Sequence, residues 1–75
     1  MDIRLNTRII IRRGPVFLVG RILYSTEYRW STSPWEAWCT RDRETAEYEA
    51  RRVCGELWLF NPVAGQLREM RKDTG

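Results

Sequence analysis

The chain has 75 residues, of which 43% are hydrophobic and four are tryptophan, and its net charge is +3. This length suits one domain with a small core, and no apolar run reaches the roughly 18 residues of a membrane span, so we expect a soluble, cytoplasmic protein that does not enter membranes. The sequence has no histidine, which removes the commonest general base and metal ligand.

The first predicted element is a strand over residues 3–12, in which apolar and polar positions alternate. One side of this strand is basic and carries Arg4, Arg8 and Arg12. Residues 13–15, Arg-Gly-Pro, favour a turn, and a second strand should follow over about residues 16–25. The two strands are therefore predicted to form an antiparallel hairpin.

Residues 28–38 combine large aromatic side chains with a polar loop at 31–34. The aromatic residues are Tyr28, Trp30, Trp35 and Trp38. The first two should extend the second strand or begin a third, and residues 35–39 should form a short strand or an extended segment. We expect Trp38 to lie in the core, and Trp30 or Trp35 to be partly exposed.

A helix is predicted over residues 41–53, with Thr40 as its N-cap and Gly55 as its stop signal. Its apolar stripe consists of Ala46, Ala50, Val53 and Cys54. The two cysteines, Cys39 and Cys54, bracket this helix, which is about 20 Å long. A disulfide needs Cα atoms within roughly 7 Å, so both cysteines are predicted to be buried free thiols.

A strand over residues 56–60, a turn at 61–65 and a strand over 66–71 complete the domain, which spans residues 1–71 and precedes a flexible tail at 72–75. The predicted fold is α+β, with an antiparallel sheet of about four to five strands and one helix on one face, in the order ββ(β)αββ. One helix covers only one face, yet the strands are apolar on both faces. The sheet must therefore curl on itself, or its second face must meet another molecule.

We predict that the protein is not an enzyme and uses neither a metal nor a cofactor. Two cysteines without histidine do not form a zinc site, and the two early glycines do not form a phosphate-binding loop. The acidic residues of the helix do not converge on one helix face, so we do not expect a metal or an acid–base cluster there. These residues are Asp42, Glu44, Glu47 and Glu49.

Three surfaces are candidates for binding, and each has a purely structural alternative. The first is the row of arginines, Arg4, Arg8, Arg12 and Arg29, which otherwise forms an ordinary solvated face. The second is the aromatic set Tyr28, Trp30 and Trp35, which otherwise covers the core; Trp, Tyr and Arg dominate interface hot spots. The third is the acidic surface of the helix, which otherwise simply faces solvent.

Residues 35–42, Trp-Glu-Ala-Trp-Cys-Thr-Arg-Asp, lead into a helix with Ala46 and Ala50 and then into the hairpin at 57–66. This layout resembles compact accessory proteins encoded by phages and mobile elements, among them the anti-CRISPR proteins. The resemblance implies a stoichiometric inhibitor, which would dock on a CRISPR effector or another defence complex in the host cytoplasm. It concerns layout alone and transfers no individual functional residue.

The leading functional hypothesis is a protein-binding module that acts as an inhibitor or adaptor. The alternative is a small nucleic-acid-binding protein that uses the arginine row with Trp30 and Trp35. A third hypothesis is a self-associating structural domain, whose partner is a second copy in a homodimer. The acidic helix and the absence of lysine clusters favour a protein partner.

Overall fold

A computed structural model describes residues 6–22 and 24–70 of the chain. The elements are β1 (Arg8–Arg13), β2 (Val16–Arg21), β3 (Tyr28–Ser31), a 3-10 helix (Pro34–Glu36), β4 (Cys39–Thr40), α1 (Arg43–Val53), β5 (Glu56–Asn61) and β6 (Gln66–Glu69). The antiparallel sheet has the order β3-β2-β1-β5-β6, and β4 pairs with β1. The predicted α+β class is confirmed, with six strands rather than four or five. The predictions for Arg4 and for the tail at 72–75 lie outside the described residues.

Strand β1 is the centre of the sheet because both of its edges are paired. One edge pairs with β5 over Arg8–Arg12, and the other is shared between β4, opposite Ile9 and Ile10, and β2, near the turn. Side chains alternate along a strand, so Ile9 and Ile11 point to one side and Ile10 to the other. Ile10 is 1% exposed and Ile11 is 0% exposed, so each side of the sheet carries its own core.

Helix α1 covers one side, which we call the helix side. It contributes Ala46, Ala50 and Val53, three of the four residues of the predicted apolar stripe. Ala50 and Val53 join a core built on Ile11 and Leu18. Half-buried hydrophobic residues surround this core, namely Tyr28, Trp30, Trp38 and Leu57. Trp38 therefore packs against the core, in agreement with the prediction.

The helix begins two residues later than predicted, because Asp42 rather than Thr40 is its N-cap. The Asp42 side chain accepts a hydrogen bond from the Glu44 N–H at 3.2 Å. At the other end, Cys54 adopts the left-handed conformation with φ 55°, and the Gly55 N–H donates to the Ala50 carbonyl at 2.8 Å. Gly55 is needed for space, since a Cβ there would lie 2.5 Å from the Cγ2 atom of Ile11.

The cysteines are both free, as predicted, but the prediction that both are buried is wrong. Cys39 is half-buried on β4, and Cys54 is exposed. The left-handed turn at Cys54 takes this residue off the regular path of α1. Its side chain is therefore not placed with the apolar stripe that the helical spacing predicted.

The other side of the sheet, which we call the helix-free side, has a core of Ile10, Phe17 and Phe60. Part of it is covered by the segment after β3, which contains the 3-10 helix; Ala37 packs against this core. The Trp38 N–H donates to the Leu18 carbonyl at 2.8 Å and fastens the segment to β2. The second face is therefore partly closed by the chain itself. Residues 35 and 36, predicted to be extended, belong to the 3-10 helix, whereas Ala37 is extended and Cys39 begins β4, as predicted.

Strand β2 is shorter than predicted and ends at Arg21. The chain then turns through Tyr24, which has φ 61° and is fully exposed. The Ile22 N–H donates to the Glu27 carbonyl at 2.9 Å and closes this turn. Within residues 6–22 and 24–70, no helix is long and apolar enough to cross a membrane.

Candidate binding surface

Arg12 is the central side chain of the helix-free side. Its guanidinium lies over the Trp58 ring, 4.5 Å from the centroid, and 5.4 Å from the centroid of Phe17. Its Nε donates to the Gly14 carbonyl at 2.9 Å. Two aromatic rings and one hydrogen bond therefore hold the guanidinium in place. Arg12 forms no ion pair with any carboxylate in the described part of the chain.

Arg13, the next residue, points to the helix side and has a different role. Its guanidinium lies 4.2 Å from the centroid of Trp30, and its Nη1 donates to the Val53 carbonyl at 3.1 Å. This carbonyl is at the C-terminal end of α1, where a cation also complements the helix dipole. Arg13 therefore connects β1 to the helix.

Two more of the predicted arginines share the helix-free side with Arg12. Arg8 is exposed, and its Nη1 lies 3.8 Å from the Cys39 sulfur. Arg29 is exposed on β3, between Tyr28 and Trp30. Both of these neighbours pack against the helix-side core, so alternation places Arg29 on the opposite side.

Trp35 projects from the 3-10 helix and is 62% exposed. Its ring meets Phe60 edge-on, with centroids 5.0 Å apart and an interplanar angle of 85°. Its Nε1 donates to the Pro62 carbonyl at 3.3 Å. The Ser31 hydroxyl donates to the Glu36 carboxylate, which ties the 3-10 helix to β3. Trp35 is therefore both exposed and held in one orientation.

Trp58 is a site residue that the sequence reasoning missed. It pairs with Ile10 of β1 and is half-buried beneath Arg12. The alternation of residues 56–60 contained the signal, since it directs the Trp58 side chain to one side of the sheet and the side chains of Leu57 and Leu59 to the other. We define the Arg12 surface as the helix-free set Arg8, Arg12, Arg29, Trp35 and Trp58.

Two carboxylates lie on the same side as the Arg12 surface. Glu56 is the register partner of Arg12, and Glu69 is the register partner of Trp58. Glu56 also accepts a hydrogen bond from the Trp58 Nε1 at 3.4 Å. The helix-free side therefore carries both signs of charge, with arginines along β1 and β3 and acids on β5 and β6.

Tyr28 and Trp30, two of the predicted aromatic contacts, lie on the helix side. Trp30 is half-buried beneath Arg13, and the Tyr28 hydroxyl accepts a hydrogen bond from Arg21 at 3.5 Å. This hydrogen bond and the attraction to Tyr28 raise the pKa of Arg21 above its usual value. The structure thus separates these two residues from Trp35.

The predicted acidic surface is partly used inside the helix. Glu47 forms an ion pair with Arg43 at 3.1 Å. A hydrogen bond from the Thr45 hydroxyl, with smaller contributions from the Glu44 and Thr45 N–H groups, holds the pKa of Asp42 below its usual value. Glu44 is exposed, and Glu49 is half-buried. Asp42 and Glu47, two of the four acidic residues, therefore have partners within the helix.

A groove of about 810 Å³ lies between α1 and the last two strands. Its apolar lining includes Ala50, Leu57 and Met70. Its charged lining consists of Arg43, Glu47 and Arg51 of α1, together with Glu56 and Glu69, whose side chains alternation directs to the helix-free side. Because this rim has both signs of charge in similar number, it selects no particular ligand charge.

Comparisons of the chain with protein-family models, with curated proteins and with solved structures found no match. Among the residues that the structure describes, no group of three or more cysteine or acidic side chains is placed to hold a metal ion. Function is therefore inferred from the chemistry of the surface, whose distinctive feature is a fixed arginine between aromatic rings.

Proposed function

We propose that this chain is a non-enzymatic protein-binding module that docks on a larger partner through the Arg12 surface. The observation that carries this proposal is Arg12, fixed over Trp58 on the same side of the sheet as the exposed Trp35. Tryptophan and arginine are enriched among the residues that contribute most to binding at protein interfaces. Side chains that are already ordered lose less entropy when they bind.

The distribution of charge favours a protein partner over a nucleic acid. A nucleic-acid groove needs a continuous positive path along the phosphate backbone. Here the positive area ends at β1, since Glu56 on β5 and Glu69 on β6 lie beside it on the same side of the sheet. A protein surface can match both signs of charge, and such complementarity gives specificity.

Docking of this kind is sufficient for an inhibitor, which is the role that the anti-CRISPR layout implies. An inhibitor of a CRISPR effector or another defence complex acts by occupying a surface and needs no catalytic group. The adaptor role uses the same contacts, with recruitment in place of blockage. Nucleic-acid binding is the second candidate, because three arginines share one side with Trp35.

The experiment is capture from a lysate of the native host, with and without nuclease, on immobilised wild-type protein and two variants. Trp35→Ala should weaken capture at least about 30-fold, the effect of losing roughly 2 kcal/mol of binding. Tyr48→Ala is the matched control, because Tyr48 is 60% exposed on α1 and lies outside the Arg12 surface. Melting curves of both variants verify that the fold is retained.

Three results contradict the proposal. Capture that disappears with nuclease indicates a nucleic acid. Equal loss in Trp35→Ala and Tyr48→Ala removes the Arg12 surface as the contact. A dimer in light scattering that Trp35→Ala converts to a monomer indicates self-association.

A further inference from the structure

We infer that the partner places a carboxylate on Arg12, supplied by an aspartate or glutamate side chain of a protein segment. This inference rests on the proposed function and specifies the chemistry of the group that the surface recognises. Three features of Arg12 support it: the orientation of the guanidinium, the charges around it, and the N–H groups that have no acceptor among the described residues.

The guanidinium has five N–H donors in a planar fork, and among the described residues only Nε has a hydrogen-bond acceptor. Nε donates to the Gly14 carbonyl, while the Trp58 and Phe17 rings contact the group without accepting its hydrogens in the plane. The two Nη atoms have no acceptor among the described residues. A planar fork with a free Nη edge matches the two oxygens of a carboxylate.

The charges around Arg12 disfavour an anion that carries two negative charges. Arg8 lies four residues away on the same side of β1, about 13 Å along the strand at 3.3 Å per residue. Glu56 is directly opposite Arg12, and Glu69 is one strand further out. These carboxylates repel a phosphate, with nearly two negative charges, more than a carboxylate with one. A single carboxylate is therefore the anion that this side accommodates best.

The rings also explain why an arginine, and not a lysine, suits this position. A guanidinium is planar and weakly hydrated, so it stacks on Trp58 and keeps its edge available. A lysine ammonium has only three N–H donors, and the rings and the partner's carboxylate would compete for them. Recognition of a carboxylate should therefore be sensitive to Arg12→Lys, although the charge is conserved.

The test is an NMR titration of the intact 15N-labelled chain, which follows the arginine Nε–H and tryptophan Nε1–H signals. The probes are a soluble peptide of repeating Gly-Glu-Ala units and its Gly-Gln-Ala counterpart, at low ionic strength. We expect the glutamate peptide to shift the Arg12 and Trp58 signals saturably, with an affinity at least about 10-fold above that of the glutamine peptide, a difference of about 1.4 kcal/mol.

Two variants define the origin of the shifts. Arg12→Lys should lower the affinity for the glutamate peptide about 5- to 10-fold. Arg68→Lys should leave it unchanged, since Arg68 is exposed and opposite Leu59 on the other side of the sheet. Melting curves accompany both, and the wild-type signal shifts locate the site even where Arg12→Lys fails to fold.

The inference is overturned by shifts of similar size at all exposed arginines, by an equal response to the glutamine peptide, or by tighter binding of inorganic phosphate or single-stranded oligo-dT. These outcomes differ from a failure of the proposed function. If Trp35→Ala abolishes host capture while the glutamate peptide does not shift the Arg12 signal, the proposed docking surface is retained and the inference that it binds a carboxylate is rejected. If nothing is captured but Arg12 binds the peptide selectively, the anion site stands without the proposed partner.

Discussion

Arg12 and Arg13 are adjacent on β1, and each lies over a tryptophan, yet the two belong to different parts of the molecule. Arg13 stacks on Trp30 and donates to the Val53 carbonyl, so its charge is used at the end of α1. Arg12 stacks on Trp58 and, within residues 6–22 and 24–70, donates a hydrogen bond through Nε alone. Stacking on a tryptophan is therefore common to both arginines, and they differ in the N–H donors that have no acceptor among the described residues.

The same contrast extends to the two sides of the sheet. The helix side is closed by α1, whose alanines allow the helix to approach Ile11 and Leu18. The helix-free side is closed only in part, by the segment after β3, and leaves Trp35 exposed and Arg12 half-buried. Comparing matched substitutions on the two sides is therefore the direct way to test this account.

The largest expected effect concerns Ile10 and Ile11, which are neighbours on opposite sides of β1. Each is essentially fully buried, so Ile10→Ala and Ile11→Ala should each lower the free energy of unfolding by about 2–5 kcal/mol. Both losses should fall in this range, and their difference reports how far each core relaxes around the cavity. Urea denaturation measures both.

Ile22→Ala is the control, because Ile22 is 37% exposed, and it should change stability by no more than about 0.5 kcal/mol. If Ile10→Ala behaves like Ile22→Ala, the helix-free side is not a core. The description of the segment after β3 as its cover would then be wrong.

The second expected effect compares the two tryptophans that the sequence could not tell apart. Trp30→Ala removes the ring beneath Arg13 and its packing on the helix-side core, and should cost about 2–3 kcal/mol, below the range for a fully buried tryptophan. Trp35→Ala removes a mostly exposed ring with an edge-on contact to Phe60 and a hydrogen bond to the Pro62 carbonyl, and should cost about 1 kcal/mol. Thermal melting of both variants is the measurement; equal losses would mean that Trp35 is a core residue.

Local patterns in the sequence predicted much of the fold. Alternation identified β1 and the basic side with Arg8 and Arg12, and the spacing of Ala46, Ala50 and Val53 identified the buried stripe of α1. The pattern could not reveal the 3-10 helix, because its position depends on contacts with Phe60 and Pro62, far away in the chain.

The site was less predictable than the fold, for a physical reason. Which side of the sheet receives the helix depends on the pairing register and on the path of the chain after β4, neither of which periodicity specifies. The sequence therefore grouped Trp30 with Trp35, although β3 directs Trp30 toward α1. Trp58 was missed because its ring lies under the guanidinium of Arg12, which is 46 positions earlier in the chain, and this contact forms only in the folded sheet.

The third expected effect returns to the adjacent arginines. Arg13→Ala removes a charged hydrogen bond to the end of α1 and should cost about 1–2 kcal/mol. Arg12→Ala removes a more exposed hydrogen bond and should cost about 0.5–1 kcal/mol. Denaturant unfolding of both variants, with partner affinity measured alongside, should show that Arg13 affects stability more and Arg12 affects binding more. If Arg12→Ala lowers stability more and Arg13→Ala lowers partner affinity more, the roles assigned to the two arginines are wrong.

The smallest expected effect is at the opposite end of α1 from Arg13, where the carboxylate of Asp42 accepts hydrogen bonds from Thr45 and Glu44. These bonds lower the pKa of Asp42 in the folded chain relative to the unfolded chain. A carboxyl of this kind stabilises the fold fully above its unfolded pKa of about 3.9, and the contribution is lost as the pH falls through the lower, folded value. Melting between about pH 7 and 5 should therefore be insensitive to this group, whereas melting below about pH 4 should fall more steeply in the wild type than in Asp42→Asn.

Thr45→Val removes the largest cause of the shift, so the pKa of Asp42 measured by NMR titration should move up toward its usual value. Arg12→Gln is the control, since Arg12 lies on the other side of the sheet and should leave this titration unchanged. If Thr45→Val leaves the pKa of Asp42 unchanged, the Thr45 hydroxyl does not donate a hydrogen bond to the Asp42 carboxylate. The cap of α1 would then consist of the hydrogen bonds that the Asp42 carboxylate accepts from the backbone N–H groups of Glu44 and Thr45.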